Sequence, residues 1–317
     1  MTKSPARHGD TVAAPHGDNV ARAVATIVFT VMALSLGDAF IKLFSTDFVL
    51  WQIFVLRSLI ALPVLALIIS VRNRAAGLSL SRFLPRHPGW VALRSLMLTV
   101  MWVAYYAALP HIALSAAAAA YYTLPIFITL FAALFLGDRI GPRGAAAILL
   151  GFLGVLLVLR PDAGAFNLHA LLPLAAAVLY ALSMILTRSK CRQEDPLVLS
   201  LSLNVSFIAV GAIATLGSLF GPPGLAGSGD FLGGSWAASG AAEAAALALL
   251  AASILIGSVG AAIAYQIGPP STVASFDFAY VAFAGLWGLL FFGEFPDALG
   301  LLGIAMIVGG GILAVRR

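Results

Sequence analysis

The sequence predicts an all-α integral membrane protein, with ten transmembrane helices in two inverted five-helix repeats and both termini in the cytoplasm. Three observations lead there. The 317 residues are 61% hydrophobic and 10% charged, with mean hydropathy +1.02, so lipid must cover most of the surface. Ten apolar runs of bilayer-crossing length follow one another along the chain. A shift of 156 positions also lays Ser115 on Ser271, Gly137 on Gly293, Asp138 on Glu294, Gly144 on Gly300, Gly154 on Gly310 and Arg160 on Arg316. The heart of this echo is Leu134-Phe135-Leu136-Gly137-Asp138 against Leu290-Phe291-Phe292-Gly293-Glu294. Each copy is an apolar run, a break with glycine and a carboxylate, and a second apolar run, which reads as helix, turn, helix.

Residues 1–19 are polar, carry Pro5, Pro15, His8 and His16, and lack apolar periodicity, so a disordered cytoplasmic tail is expected. The first run, 21–43, starts behind Arg22 with no small-residue cleavage pattern and reads as a retained span. The others are 48–70, 89–109, 113–136, 143–160, 167–188, 197–219, 243–266, 271–292 and 298–315. Pro110, Pro142, Pro196 and Pro269-Pro270 stand at the breaks, where a missing donor and a fixed φ end a helix. The linker 221–240 is rich in Gly, Pro and Ser and reads as an exposed loop. Its Gly227-Ser228-Gly229-Asp230 matches the GxGD of intramembrane aspartyl proteases by letter, but it lies in a polar loop without a partner aspartate. The repeats divide the chain into 20–160 and 161–317.

Lys and Arg set the orientation. With the N-terminus inside, cytoplasmic segments hold the bases at 3–22, 72–86, 139–143, 188–192 and 316–317, and external loops hold only Arg160. Five spans per half is an odd number, so the two copies lie upside down to each other. The break after Gly137 carries Arg139 and Arg143, whereas the one after Gly293 carries Glu294 and Asp297 without a base, as inversion requires. Such halves suit a secondary transporter, in which two similar units exchange conformations around a midplane site. The net charge of +5 lies in short loops, which fits anionic lipid and not nucleic acid. Cys191 is the sole cysteine, which excludes an internal disulfide or a cysteine metal cage.

The residues also carry a family resemblance. Ala108-Leu109 with Ser115-Ala116, Leu124-Pro125-Ile126-Phe127, Leu136-Gly137-Asp138 and Gly144, Gly151, Gly154 resemble the drug/metabolite transporter superfamily, of the bacterial type with two EamA domains. Ser271, Phe292-Gly293-Glu294, Gly300, Gly303 and the run Gly309–Gly311 repeat the pattern. The likeness spans 21–315. Val281 stands where the first copy has Pro125, so the second copy is expected to lack that break in regularity. The resemblance implies a cavity built by spans one to four and six to nine, with the glycine-rich spans five and ten at the periphery. Within the superfamily the chain is similar to amino-acid exporters, including aromatic ones, which implies a small-molecule substrate and a place in the bacterial inner membrane.

Polar groups inside apolar runs are the candidate site, since charge there is costly. Asp38 and Lys42 share one face of the first span, either as an i,i+4 ion pair or to receive an ammonium and a carboxylate. Arg57 falls mid-span, as a carboxylate anchor or a partner for Asp38, and Arg94 is expected to snorkel to the interface. Asp277 lies between Phe276 and Phe278, at helical spacing from Tyr280, Ala284 and Trp287. That face suits an amine, a cycling proton or an ordinary buried acid. Trp102, Tyr105, Tyr106, Tyr121, Tyr122, Tyr180, Tyr265 and Gln266 add aromatic and polar groups in the central spans, as cavity lining or as packing and interfacial belts. From these the expected substrate-binding set is Asp38, Lys42, Trp102, Tyr106, Tyr122, Tyr265, Gln266, Asp277 and Tyr280. HExxH, Walker-type and GxSxG patterns are missing, so no enzyme is expected, His111 and His169 suggest no metal, and no cofactor is anticipated. The sequence thus points to amino-acid export by alternating access, with efflux of cationic drugs or other metabolites as the alternative.

Overall fold

The computed structural model describes residues 19–44, 48–75, 84–108, 120–138, 140–159, 169, 171–220, 236, 240–293 and 298–315. The regular elements among them are helical: α1 Val20–Phe44, α2 Leu50–Ala75, α3 Pro88–Ala108, α4 Leu124–Phe131, α5 Pro142–Leu159, α6 Leu171–Ser189, α7 Pro196–Phe220, α8 Ala241–Ile267, α9 Pro270–Asp277, α10 Ala279–Phe292 and α11 Ala298–Val315. A π-helical turn, Ala132–Leu136, prolongs α4. Seven helical stretches, with α9 and α10 counted as one, are long and apolar enough to cross a membrane, and Leu124–Leu136, Pro142–Gly154 and Ala298–Gly310 are shorter apolar helices. Residues 1–18 of the tail, the GxGD letters, His111 and Ser115-Ala116 lie outside the described residues.

Proline begins many of these helices, because its missing N–H is an orphan donor there anyway. Pro88, Pro142, Pro196 and Pro270 each open one, and Pro125 is the second residue of α4. The helices then expose apolar side chains outward: on α2, Leu59, Val64, Leu67 and Val71 face away from the bundle, Leu67 with 64% of its surface free. Only lipid makes such a face favourable.

Both copies of the echoed break end in a left-handed residue. Gly137 closes the π turn at φ 71° and Gly293 closes α10 at φ 65°, a region in which a Cβ costs roughly 1–2 kcal/mol. The expectation that the second copy lacks a break for want of proline is overturned. Helix α9 stops at Asp277, and the Val281 amide bonds the Phe278 carbonyl at 3.1 Å, giving a turn at the position equivalent to Tyr122. Packing supplies the reason: Phe278 is buried with Tyr122, Val281 and Ile307, and its ring fills the space over Gly151, where a Cβ would come within 2.6 Å of it.

Helix partners recur when each helix of one half is exchanged for its counterpart in the other. Helix α1 packs on α8 as α3 packs on α6; α1 meets α9 and α10 as α6 meets α4; α3 meets α7 as α8 meets α2. Helices α2 and α7, and α5 and α11, pair with their own counterparts. In the last pair a Cβ on Gly154 would lie 2.6 Å from the Gly303 carbonyl oxygen, and one on Gly310 would lie 2.8 Å from that of Ala147. Small residues let these backbones touch.

Candidate functional site

All seven tyrosines of the chain lie in the bundle core or pack against it. The interfacial alternative does not hold for them as a set. Six of their rings join Trp102 in a connected belt, while Tyr265 bonds Asp277 instead. Trp102 stacks on Tyr106 at 5.3 Å, Tyr106 meets Tyr105 at 5.7 Å, and Tyr105 meets Tyr121 at 5.1 Å. From Tyr121 the belt continues to Tyr122 at 5.8 Å and to Tyr280 at 5.2 Å from Tyr122, with Tyr180 branching off Tyr121 at 6.3 Å. Helices α3, α6 and α10 and the Tyr121-Tyr122 step before α4 supply these rings, so both halves contribute.

The two interior acids each take a tyrosine from another helix. Asp38 of α1 accepts the Tyr280 hydroxyl at 2.5 Å, and Asp277 accepts that of Tyr265 on α8. Asp277, the last residue of α9, is buried with 4% of its surface exposed. Helical spacing places Asp277, Tyr280, Ala284 and Trp287 on one face; the turn at Phe278 separates them. Asp277 engages α8, while Tyr280 and Trp287 engage α1, Trp287 donating to the Ser35 hydroxyl at 2.9 Å. The Lys42 side chain lies outside the described residues, and Asp38 takes its hydrogen bond from Tyr280.

Beside Asp38, a narrow crevice between α1, α2, α3 and α8 is lined by Gly37, Arg57, Trp102, Tyr106 and Ser253 among others. Arg57 is 4% exposed, and its carbon Cζ lies 5.0 Å from the Phe54 ring centre and 4.6 Å from that of Phe207. Its Nε and Nη2 have no hydrogen-bond partner among the described residues. Arg94 overturns its expectation. It is fully buried and does not snorkel, because its Nε donates to the Thr187 hydroxyl of α6 at 2.6 Å.

Gln266 is not brought to the aromatic belt. Its side-chain amide donates to the carbonyls of Cys191 and Glu194 at 2.6 and 2.8 Å, and its backbone carbonyl accepts Arg188 at 2.8 Å. This network, missed in the sequence, closes one end of the bundle. The Glu194 carboxylate accepts the amides of Arg86 and His87 at 3.0 and 2.8 Å, and Arg72 pairs with Asp195. Glu194-Asp195-Pro196 ahead of an apolar run was a readable helix-start signal, and Asp195 indeed takes the Leu197 amide at 3.0 Å. Its tie to Gln266 depends on packing between helices far apart in sequence.

Comparison with known proteins bears on what such a cavity does. Residues 21–160 match the EamA-like transporter family. The chain is 30% identical to a riboflavin transporter of Rhizobium johnstonii over 73% of its own length and 72% of the relative's. It is 28% identical to the pseudopaline exporter CntI of Pseudomonas aeruginosa over 90% of its length and 91% of the relative's. A riboflavin transporter of Brucella anthropi is 27% identical over 84% and 86%. A solved crystal structure superposes with TM-score 0.72 at 20% identity, covering 96% of this chain and all of the other, a likeness of fold.

Proposed function

The chain belongs to the EamA-like transporter family, a multi-pass membrane protein that moves a small molecule and is not an enzyme, and from that premise we propose that it exports amino acids, aromatic ones included, across the bacterial inner membrane. One observation carries the reading: a belt of aromatic rings drawn from both halves runs, through Trp102 and Tyr106, into the wall of a crevice that holds an acid, Asp38, and a base, Arg57. Rings take an apolar or aromatic side chain, and the two charges match a zwitterion. Trp102, Tyr106, Tyr122, Asp38, Tyr280 and Lys42 are the proposed lining, with Tyr265 and Asp277 as a second polar station. Gln266 sits instead in the end closure.

The proposed mechanism is alternating access between the halves 20–160 and 161–317, lying inverted to each other with both termini inside. Recurrence of the helix partners and of the left-handed glycines 137 and 293 supports that division. The closed end gathers the basic loops around Arg72, Arg86 and Arg188, the composition of a cytoplasmic face. Likeness to a pseudopaline exporter supports the outward direction.

A second reading, transport of riboflavin, is favoured by the relatives of that name and by a largely uncharged aromatic belt. Uptake into proteoliposomes of labelled phenylalanine, riboflavin and an organic cation tests both. Saturable phenylalanine flux is the expected result; riboflavin flux alone replaces the first reading with the second, and flux of the cation alone restores drug efflux.

A further inference from the structure

We propose that Arg57 is a carboxylate anchor, so that the preferred substrate of this crevice carries a carboxylate. The inference rests on the transport reading of the same cavity and adds what its charged wall selects. Phe54 and Phe207 lie against the guanidinium and stabilise its charge through the ring quadrupoles. They leave the N–H edge unused, and Nε and Nη2 meet no acceptor among the described residues. A buried donor without a partner is costly, more so when charged. Arg94, the other buried arginine among the described residues, spends its Nε on Thr187 and leaves only Nη1 without a partner, whereas Arg57 keeps Nε and Nη2 together as a donor edge in a crevice.

Asp38 lines the same crevice and is the obvious internal partner, yet its Oδ2 is taken by Tyr280. The acceptor that fits a guanidinium fork is a planar anion with two oxygens, bound through parallel hydrogen bonds. Asp38 decides between anions: its nearby negative charge opposes a phosphate dianion and accommodates a carboxylate whose molecule also carries an ammonium group. Trp102 and Tyr106, stacked beside Arg57 in the crevice wall, then meet the rest of the solute. Riboflavin has no carboxylate, so this inference separates the two transport readings.

The test compares L-phenylalanine, L-phenylalaninamide and riboflavin as labelled solutes in proteoliposomes of wild type, Arg57→Gln and Arg57→Lys. The wild type should take the acid at concentrations about 10- to 100-fold lower than the amide, the loss expected when a charged hydrogen-bonded pair is missing. Arg57→Gln should abolish that preference, so that acid and amide are used alike, and Arg57→Lys, which keeps charge without the fork, should retain part of it. If Arg57→Gln fails to fold, the wild-type ratio and Arg57→Lys still decide. Equal use of acid and amide by the wild type, or undiminished acid preference in both variants, overturns the inference. Flux of riboflavin without phenylalanine overturns it while transport stands, and flux of none of the three overturns both.

Discussion

Two arginines buried in consecutive helices meet opposite fates. Arg94 donates its Nε–H to the Thr187 hydroxyl, and this bond ties α3 to α6; Arg57 lies against two phenylalanines with its donor edge open. Replacing Thr187 by Val should therefore leave a buried charge with one partner fewer. The expected cost is on the order of 1–3 kcal/mol, read as lowered thermal stability in detergent, with substrate KM unchanged; a changed KM at full stability would instead put Arg94 in the transport path. Asp277 makes a different case. It is buried against one tyrosine hydroxyl, and if it carries the coupling proton, Asp277→Asn should abolish stimulation of flux by an imposed pH gradient while gradient-free exchange persists. Full gradient stimulation in that variant would leave Asp277 a structural acid. At this scale the sequence showed which residues were exceptional better than what they touch. Depth along α3 suggested snorkelling for Arg94, because a single helix says nothing of the neighbour that waits on its buried side. Spacing joined Asp277 to Tyr280, because the turn at Phe278 has no proline to announce it.

Most helix ends were legible, since apolar runs punctuated by Pro110, Pro142, Pro196 and Pro269-Pro270 leave little choice; the run 113–136 was not, for the described helix there starts only at Leu124, nor was 271–292, which breaks at Phe278. The π turn at Ala132–Leu136 was not, because it differs from an α-helix only in which carbonyl each amide selects. Helices α5 and α11 give the sharpest prediction among the elements. Gly154→Ala and Gly310→Ala each drive a methyl toward a backbone carbonyl of the facing helix, so each should cost about 1–3 kcal/mol in thermal unfolding. The symmetry of the seam requires similar losses from the two. Gly217→Ala, with nothing within 4 Å of its Cβ, should be neutral or slightly stabilising as helix propensity improves. A neutral Gly154→Ala would mean that the seam is looser than described. Gln266 belongs to this scale too: Gln266→Ala frees the carbonyls of Cys191 and Glu194. Stability should fall by roughly 1–3 kcal/mol without a loss of substrate affinity.

For the whole molecule, the echo at 156 positions anticipated the most. It pairs Gly137 with Gly293 and Gly154 with Gly310, and the structure places each pair in matching surroundings. The cavity was less legible as a whole, because the belt from Trp102 to Tyr280 draws on helices α3 and α10 and on the Tyr121-Tyr122 step between them, and closes only when the halves meet. The proposed exchange between the halves means that one crevice opens in turn to each side of the membrane. Ser253 lines that crevice, and Ser253→Cys nearly preserves its size. Cys191, the only native thiol, is held by burial at a pKa of about 11, so it stays protonated and slow to react, and Cys191→Ser removes it. The decisive measurement is labelling of Ser253→Cys, in that background, by a membrane-impermeant thiol reagent applied to right-side-out and to inside-out vesicles. Alternating access predicts labelling from both sides, slowed on both by saturating substrate. Labelling from one side alone, whatever the substrate concentration, would contradict it.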